Sequence, residues 1–153
     1  MIKRYIRTRL IEPAVFLLRQ GISPEKIAMS MAWGLTLGTL PVLGVTSILC
    51  VGVALLFRLN HVVIQIANWA AYPLQLALFI PFFMMGARLF GTEPIMRDAS
   101  SLVTVFQSGF AGSVEVLGTT MLHAALVWAF VAPFMIAVLY RAIKPPLERI
   151  MKS

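Results

Sequence analysis

Charged residues are scarce in this sequence. Only 12% of its 153 residues are Asp, Glu, Lys or Arg, whereas 59% are hydrophobic and the mean hydropathy is +0.87. Soluble globular domains carry about 25% charged residues, so this composition excludes an ordinary soluble domain. It predicts an all-α, polytopic membrane protein that forms one membrane domain over residues 1–153.

The residue types that carry catalysis and metal binding are also sparse. The one cysteine, Cys50, cannot form an internal disulfide, and its apolar neighbours favour a buried hydrophobic role. The two histidines, His61 and His123, are far apart, and neither has a metal-ligand partner at helical spacing. No nucleophile and base are placed together. We therefore expect neither an enzyme nor a bound metal or cofactor.

The net charge of +7 is concentrated at the two ends of the chain. Lys and Arg are dense in residues 1–26 and 141–153, whereas the residues between them are close to neutral. By the positive-inside rule, both termini of a multi-pass inner-membrane protein would be cytoplasmic. Anionic lipid headgroups are then the expected partner of the basic ends, rather than nucleic acid.

Two long uncharged runs are each interrupted by proline. The first, Ile27–Phe57, contains Pro41 and Gly44, and the second, Val62–Ala87, contains Pro73 and Pro81. The arms of the first run would be about 21 Å long as helices, which is shorter than the hydrocarbon core of about 30 Å. This length and the break predict a re-entrant hairpin. Broken helices in membranes usually line a binding site rather than face lipid.

These runs divide the chain into six predicted segments. They are a basic amphipathic N-terminal region (1–21), the broken hairpin (23–57), a proline-broken span (62–88), an interfacial helix (93–113), a span (117–140) and a basic cytoplasmic tail (141–153). We expect Pro145 and Pro146 to end the helix that contains the last span. A re-entrant hairpin followed by two crossings puts both termini in the cytoplasm. An alternative with a fully spanning hairpin makes four crossings and gives the same parity.

Small residues recur on one face of the first run. Ser30, Gly34 and Gly38 are spaced by four, so they lie on the same side of a helix. Small residues at this spacing let two helices approach closely. We interpret this face as a packing surface, and as a plausible contact between the subunits of a homo-oligomer.

A polar stripe marks the second run. Its members share one helical face and are Gln65, Asn68, Tyr72 and Gln75. They either bond neighbouring helices to each other or line a site for a solute or a lipid headgroup. Arg58 and Asn60 form a polar turn before the stripe, where Arg58 either snorkels to the interface or clamps a phosphate. His123, inside the last span, is either functional or bonded to a neighbouring helix.

The order of several residues is similar to a known family pattern. These residues are Ser23-Pro24, Ile27-Ala28, Gly34, Gly38, Pro41, Gly44, Arg58-x-Asn60, Trp69 and Pro73. Together they resemble a family of small bacterial inner-membrane domains of unknown function that are sometimes fused to glycosyltransferases. The resemblance covers residues 22–86 and implies a membrane domain with a signature hairpin. The chain departs from it at Tyr72, where family members often have Asn.

Two functional hypotheses follow from these patterns. The first is an oligomeric transporter or lipid-handling protein that binds a polar or anionic group at the broken helices, with Arg58, Asn60 and the polar stripe as contacts. The second is an accessory or scaffold protein that positions a membrane partner such as a glycosyltransferase. The fusions of the resembled family favour the second by association only.

Overall fold

The computed structural model describes residues 12, 16, 22–42, 44–92, 107 and 109–152. Within them the elements are α1 (Pro24–Leu37), α2 (Thr46–Leu56), α3 (His61–Ala70), α4 (Tyr72–Phe90) and α5 (Gly109–Lys152), with no strand in these ranges. The all-α prediction is confirmed for this part of the chain. Most of the predicted N-terminal region (1–21) and most of the predicted interfacial helix (93–113) fall outside the described residues.

Local sequence signals set both ends of α1. Ser23 is the N-cap, its hydroxyl accepts a hydrogen bond from the Lys26 amide, and Pro24 occupies the first turn. The helix ends at Leu37, a few residues before Pro41. The predicted interruption of the first apolar run is therefore present, and it leaves two short arms of 14 and 11 residues.

The turn between α2 and α3 is built by Arg58, Leu59 and Asn60. Arg58 adopts a φ of 52°, and the amides of Arg58 and Leu59 donate to the carbonyls of Leu55 and Ala54. This pattern is a Schellman C-cap, which normally uses glycine at the left-handed position. The side chain of Asn60 then caps α3 by accepting hydrogen bonds from the amides of Val62 and Val63.

The second apolar run is also broken where the sequence predicts. The α3 helix ends at Ala70 and α4 starts at Tyr72, with Ala71 as the cap residue between them. Pro73 lies in the first turn of α4, where its missing amide hydrogen removes no helical bond. Pro81, by contrast, lies inside α4 without ending it.

The α1 helix lies at the centre of the bundle, and α2 returns alongside it. The rings of Trp33 in α1 and Phe57 at the end of α2 stack with centroids 5.3 Å apart. The α3 helix then runs parallel to α1, as two contacts show. Toward the start of both helices the Asn60 amide donates to the Ser30 hydroxyl at 3.0 Å, and at the end of both Gly38 lies against Ala71. The hairpin and α3 thus form one compact layer.

The small residues of α1 are used within the chain. A Cβ on Gly34 would overlap the Ile64 carbonyl oxygen of α3, and a Cβ on Gly38 would lie 2.6 Å from the Ala71 Cβ. Gly34 and Gly38 therefore pack closely against α3. The interpretation of the same face as a contact between subunits is wrong, because α3 of the same chain already occupies it.

The α5 helix runs antiparallel to α1 and α4. Near its C-terminal end, Lys144 Nζ lies 2.8 Å from Glu25 Oε1, and this hydrogen bond lowers the pKa of the Glu25 carboxyl. Near its middle, the Trp128 indole bonds the end of α1. Farther toward its N-terminus, α5 packs on α4, where Ala124 contacts Phe82 and Phe83.

The last helix continues past the predicted stop. We expected Pro145 and Pro146 to end it, but α5 extends through both prolines, and through Pro133, to Lys152. The prediction is wrong because contacts beyond the prolines hold this segment in place. Leu147 is buried against Ile27, Ala28, Met31 and Val63. Tertiary packing of this kind offsets the hydrogen bonds that the prolines remove.

Among the described residues, two helical segments are long and apolar enough to cross a membrane, namely Tyr72–Phe90 and Val114–Ile150. The α2 helix is apolar but shorter. Large hydrophobic side chains are exposed on all three of these helices, for example Leu56, Leu76 and Phe130. These surfaces are consistent with contact with lipid.

Candidate functional site at the tip of the hairpin

The tip of the α1–α2 hairpin is fixed by side chains from α4 and α5. Gln75 of α4 donates a hydrogen bond of 2.6 Å to the carbonyl of Leu40, the residue before Pro41. The Trp128 indole of α5 lies 3.1 Å from the Thr39 hydroxyl and 3.3 Å from the Thr36 carbonyl. The Thr36 and Leu40 carbonyls also accept backbone hydrogen bonds, from the amides of Thr39 and Val42, so the side chains add to a turn that is already paired.

The polar side chains of α3 hold the start of α2. Gln65 Nε2 donates to the Ser47 carbonyl at 2.9 Å, and Asn68 Nδ2 lies 3.4 Å from the Ser47 hydroxyl. The N-cap of α2 is Val45, which provides no side-chain cap. The side-chain amides of Gln65 and Asn68 therefore hold the start of α2 against α3.

The predicted polar stripe is thus divided by the structure. Gln65, Asn68 and Gln75 converge on the hairpin tip, where each bonds another element. Tyr72 is 45% exposed, and it makes no polar contact within the described part of the chain. Of the two interpretations of the stripe, bonding between helices describes the contacts of its three amides.

Three buried oxygen atoms at this tip have no hydrogen-bond partner. They are Thr36 Oγ1, Gln65 Oε1 and Asn68 Oδ1. A buried polar atom left unpaired costs about 1–3 kcal/mol. The tip therefore keeps unused hydrogen-bonding capacity beside the amides that fasten the hairpin.

Arg58 and Asn60 lie at the other end of the hairpin, away from the tip. The side chain of Asn60 is engaged as the cap of α3, and its amide bonds Ser30. Arg58 is exposed beside it. The predicted contact residues thus lie at two places. The whole length of α2 separates Arg58 from the side-chain amides of Gln65, Asn68 and Gln75.

His123 lies between α4 and α5 without the predicted hydrogen bond. Its ring stacks on Phe90 with centroids 4.2 Å apart and planes inclined by 6°, and its buried Nδ1 has no partner. It packs against Gly86, where a Cβ would lie 3.0 Å from the His123 carbonyl carbon. The predicted hydrogen bond from His123 to a neighbouring helix is therefore wrong for the described residues. His123 instead makes an aromatic contact with Phe90.

An apolar groove opens between α1, α4 and α5. It has a volume of about 350 Å³ and is lined by Leu35, Leu74, Phe134, Met135, Val138 and Leu139. All six lining residues are hydrophobic. The groove lies on the part of α5 between Trp128, which contacts the hairpin tip, and Arg141.

Sequence patterns missed several contributors to this site. Ser47, Thr39 and Trp128 lie in apolar runs, and their partners are 18 to 92 residues away in sequence. The Leu40 carbonyl could have been suspected, because it precedes Pro41 at a predicted break. The choice of Gln75 as its partner follows only from the packing of α4 beside the tip.

The comparisons with known proteins give one match. The profile of a family described as an uncharacterized protein conserved in bacteria (DUF2062) matches residues 3–148. No curated protein and no solved structure matches the chain. The match extends beyond the segment in which the sequence resemblance lies.

Proposed function

Since the chain belongs to the bacterial family DUF2062, we propose that it is a multi-pass protein of the inner membrane that handles lipids. In this proposal, α4 and α5 cross the bilayer and the α1–α2 hairpin enters from the cytoplasmic face and returns. The basic ends of the chain face the cytoplasm. The two long apolar helices support the crossings.

The depth of the hairpin supports the re-entrant topology. The uncharged stretch of α5 is bounded by Glu115 and Arg141, and Trp128, which contacts the hairpin tip, lies midway between them. The tip is therefore about 20 Å along α5 from either charge. A hairpin that reaches only this level occupies the cytoplasmic leaflet, and Arg58 at its base returns to the basic side.

The observation that supports a lipid-handling function is the distribution of polar and apolar surfaces around the hairpin. The amide nitrogens of Gln65, Asn68 and Gln75 donate to the hairpin tip. These side chains therefore face another element of the same chain rather than an open polar path. The open groove beside the hairpin is instead wholly apolar. An apolar groove favours hydrocarbon over a hydrated solute.

Cysteine labelling tests the topology. His61, Val45 and Thr92 are exposed at the base, at the tip and beyond α4, and each is replaced by cysteine in a Cys50→Ala background. In spheroplasts, a membrane-impermeant maleimide should label Thr92→Cys directly and His61→Cys only after permeabilisation. Val45→Cys should react only after denaturation. Labelling of Val45→Cys together with Thr92→Cys would instead establish four crossings.

Lipid movement in proteoliposomes tests the function. Vesicles that carry a fluorescent phospholipid are treated with dithionite, which bleaches only the outer leaflet. We expect the protein to raise the bleached fraction above that of protein-free vesicles. Gly34→Val should lose this effect because it separates α1 from α3, whereas Gly118→Val, at an open position of α5, should keep it. Bleaching equal to that of empty vesicles would refute the proposal.

The homo-oligomer and the membrane-protein partner stay predictions. The surface that we propose for these contacts is now α2, instead of the face of Ser30, Gly34 and Gly38. The α2 helix exposes Ile48, Leu55 and Leu56 around Gly52, where no atom lies within 4 Å of an added Cβ. Large residues around a glycine suit close helix contact in membranes. Oxidation of Gly52→Cys in a Cys50→Ala background should give a disulfide-linked dimer, and Thr119→Cys on α5 is the control.

A further inference from the structure

We propose that the apolar groove and Arg141 together form a binding site for one anionic phospholipid. This proposal rests on the proposed function, because it requires that the groove face the cytoplasmic leaflet. An acyl chain would lie between α1, α4 and α5, and the phosphate would meet the guanidinium of Arg141. No polar stripe residue takes part.

The groove provides the chain-binding part of the site. Leu35 comes from α1, Leu74 from the first turn of α4, and the remaining lining residues from α5. Phe134 and Val138 are more than 60% exposed, so the groove is open along its α5 side. An acyl chain can therefore enter laterally from the bilayer, and its burial removes apolar surface that is otherwise exposed.

Arg141 provides the charge. It follows Phe134 by seven residues and Val138 by three, which puts the three on one side of α5. The distance from Phe134 to Arg141 along the axis is about 10 Å. This spacing lets the phosphate lie at the membrane surface while the chain enters the groove.

Arg141 is also free to bind. It is exposed, and no carboxylate among the described residues pairs with it. The neighbouring cation, Lys144, is instead held by Glu25 and Glu148. A guanidinium pairs with a phosphate through two hydrogen bonds, so an anionic headgroup is the partner that this position favours.

Native mass spectrometry tests the site with phosphatidylglycerol and phosphatidylcholine as the probes. The detergent-purified full chain should bind phosphatidylglycerol more tightly. Arg141→Gln should weaken this binding about fivefold, as expected for the loss of one basic contact, and leave phosphatidylcholine unchanged. Val138→Trp should weaken both lipids, because it fills the groove.

Two matched variants provide the controls. Arg149→Gln removes a charge about 16 Å beyond Val138 along α5, and Leu126→Trp adds a large ring on the side of α5 away from the groove. Both should bind lipid as the wild type does. Equal losses in Arg141→Gln and Arg149→Gln would indicate general charge attraction and overturn the proposal, as would wild-type binding by Val138→Trp.

The outcomes separate this site from the proposed function. Selective binding without lipid movement in proteoliposomes would keep the site and refute lipid movement. Lipid movement that persists without selective binding would refute the site alone. Circular dichroism and the unfolding midpoint of each variant show whether the fold is retained. Arg141→Gln removes no ion pair with a described residue, so it keeps the test decisive if Val138→Trp unfolds.

Discussion

Replacement of Gly34 by alanine should destabilise the protein, although alanine is the better helix former. The added Cβ would overlap the Ile64 carbonyl oxygen and lie 2.7 Å from the Ala67 Cβ. Overpacking of this kind costs about 1–3 kcal/mol, and in this case the obstructing atom is backbone and cannot rotate away. The gain in helix propensity is about 1 kcal/mol. We expect a net loss of up to about 2 kcal/mol in the free energy of unfolding.

Gly52→Ala is the matched control for this experiment. Nothing lies within 4 Å of a Cβ at Gly52, so this variant should be more stable than the wild type by about 0.5–1 kcal/mol. Unfolding in mixed micelles, followed by far-UV circular dichroism, measures both changes. The double variant Gly34→Ala, Ala67→Gly should recover only part of the loss, since the carbonyl of Ile64 remains. A Gly34→Ala variant as stable as Gly52→Ala would refute the close contact between α1 and α3.

Three further predictions follow from the same contacts. Gln75→Leu removes the α4 donor from the Leu40 carbonyl, which keeps its bond from the Val42 amide. It should lower the free energy of unfolding by about 0.5–1.5 kcal/mol, measured in the same micelles. Arg58→Gly should raise it by about 1 kcal/mol, because glycine adopts φ 52° without a steric cost, and Arg58→Ala controls for the lost charge. The pKa of Glu25 is lowered from 4.5 by Lys144, so the pair stabilises above the unfolded value and this contribution is lost as pH falls through the folded value. The unfolding midpoint should fall as the pH is lowered below 4.5, and Glu25→Gln should remove the part of this fall that the pair causes.

Much of the local structure could be predicted from sequence. Ser23-Pro24 marks the start of α1, and Pro41 and Pro73 mark the two breaks, since capping and the missing proline amide act over a few residues. The close packing at Gly34 and Gly38 was also predictable as a property of the face. Its partner was not, because a row of small residues suits a helix of the same chain and of a second chain equally well.

The last helix shows the limit of local rules. Pro145 and Pro146 normally end a helix, and the sequence around them contains no signal to the contrary. Their effect is overcome by Leu147 packing on Ile27 and by the pairing of Lys144 with Glu25, which is more than 100 residues away in sequence. Contacts between such distant residues have no signature in a local pattern.

The sequence by itself determined the apolar character of the chain, its helical class, its basic ends and the positions of its breaks. Each of these depends on composition or on residues close together along the chain. Only the tertiary structure decided what the polar stripe does, because Gln65 and Gln75 can line a cavity or bond a helix with the same side-chain atoms. The choice depends on which backbone lies opposite them. In the fold, that backbone is the interrupted hairpin, whose Ser47 and Leu40 carbonyls accept the hydrogen bonds that the amides donate.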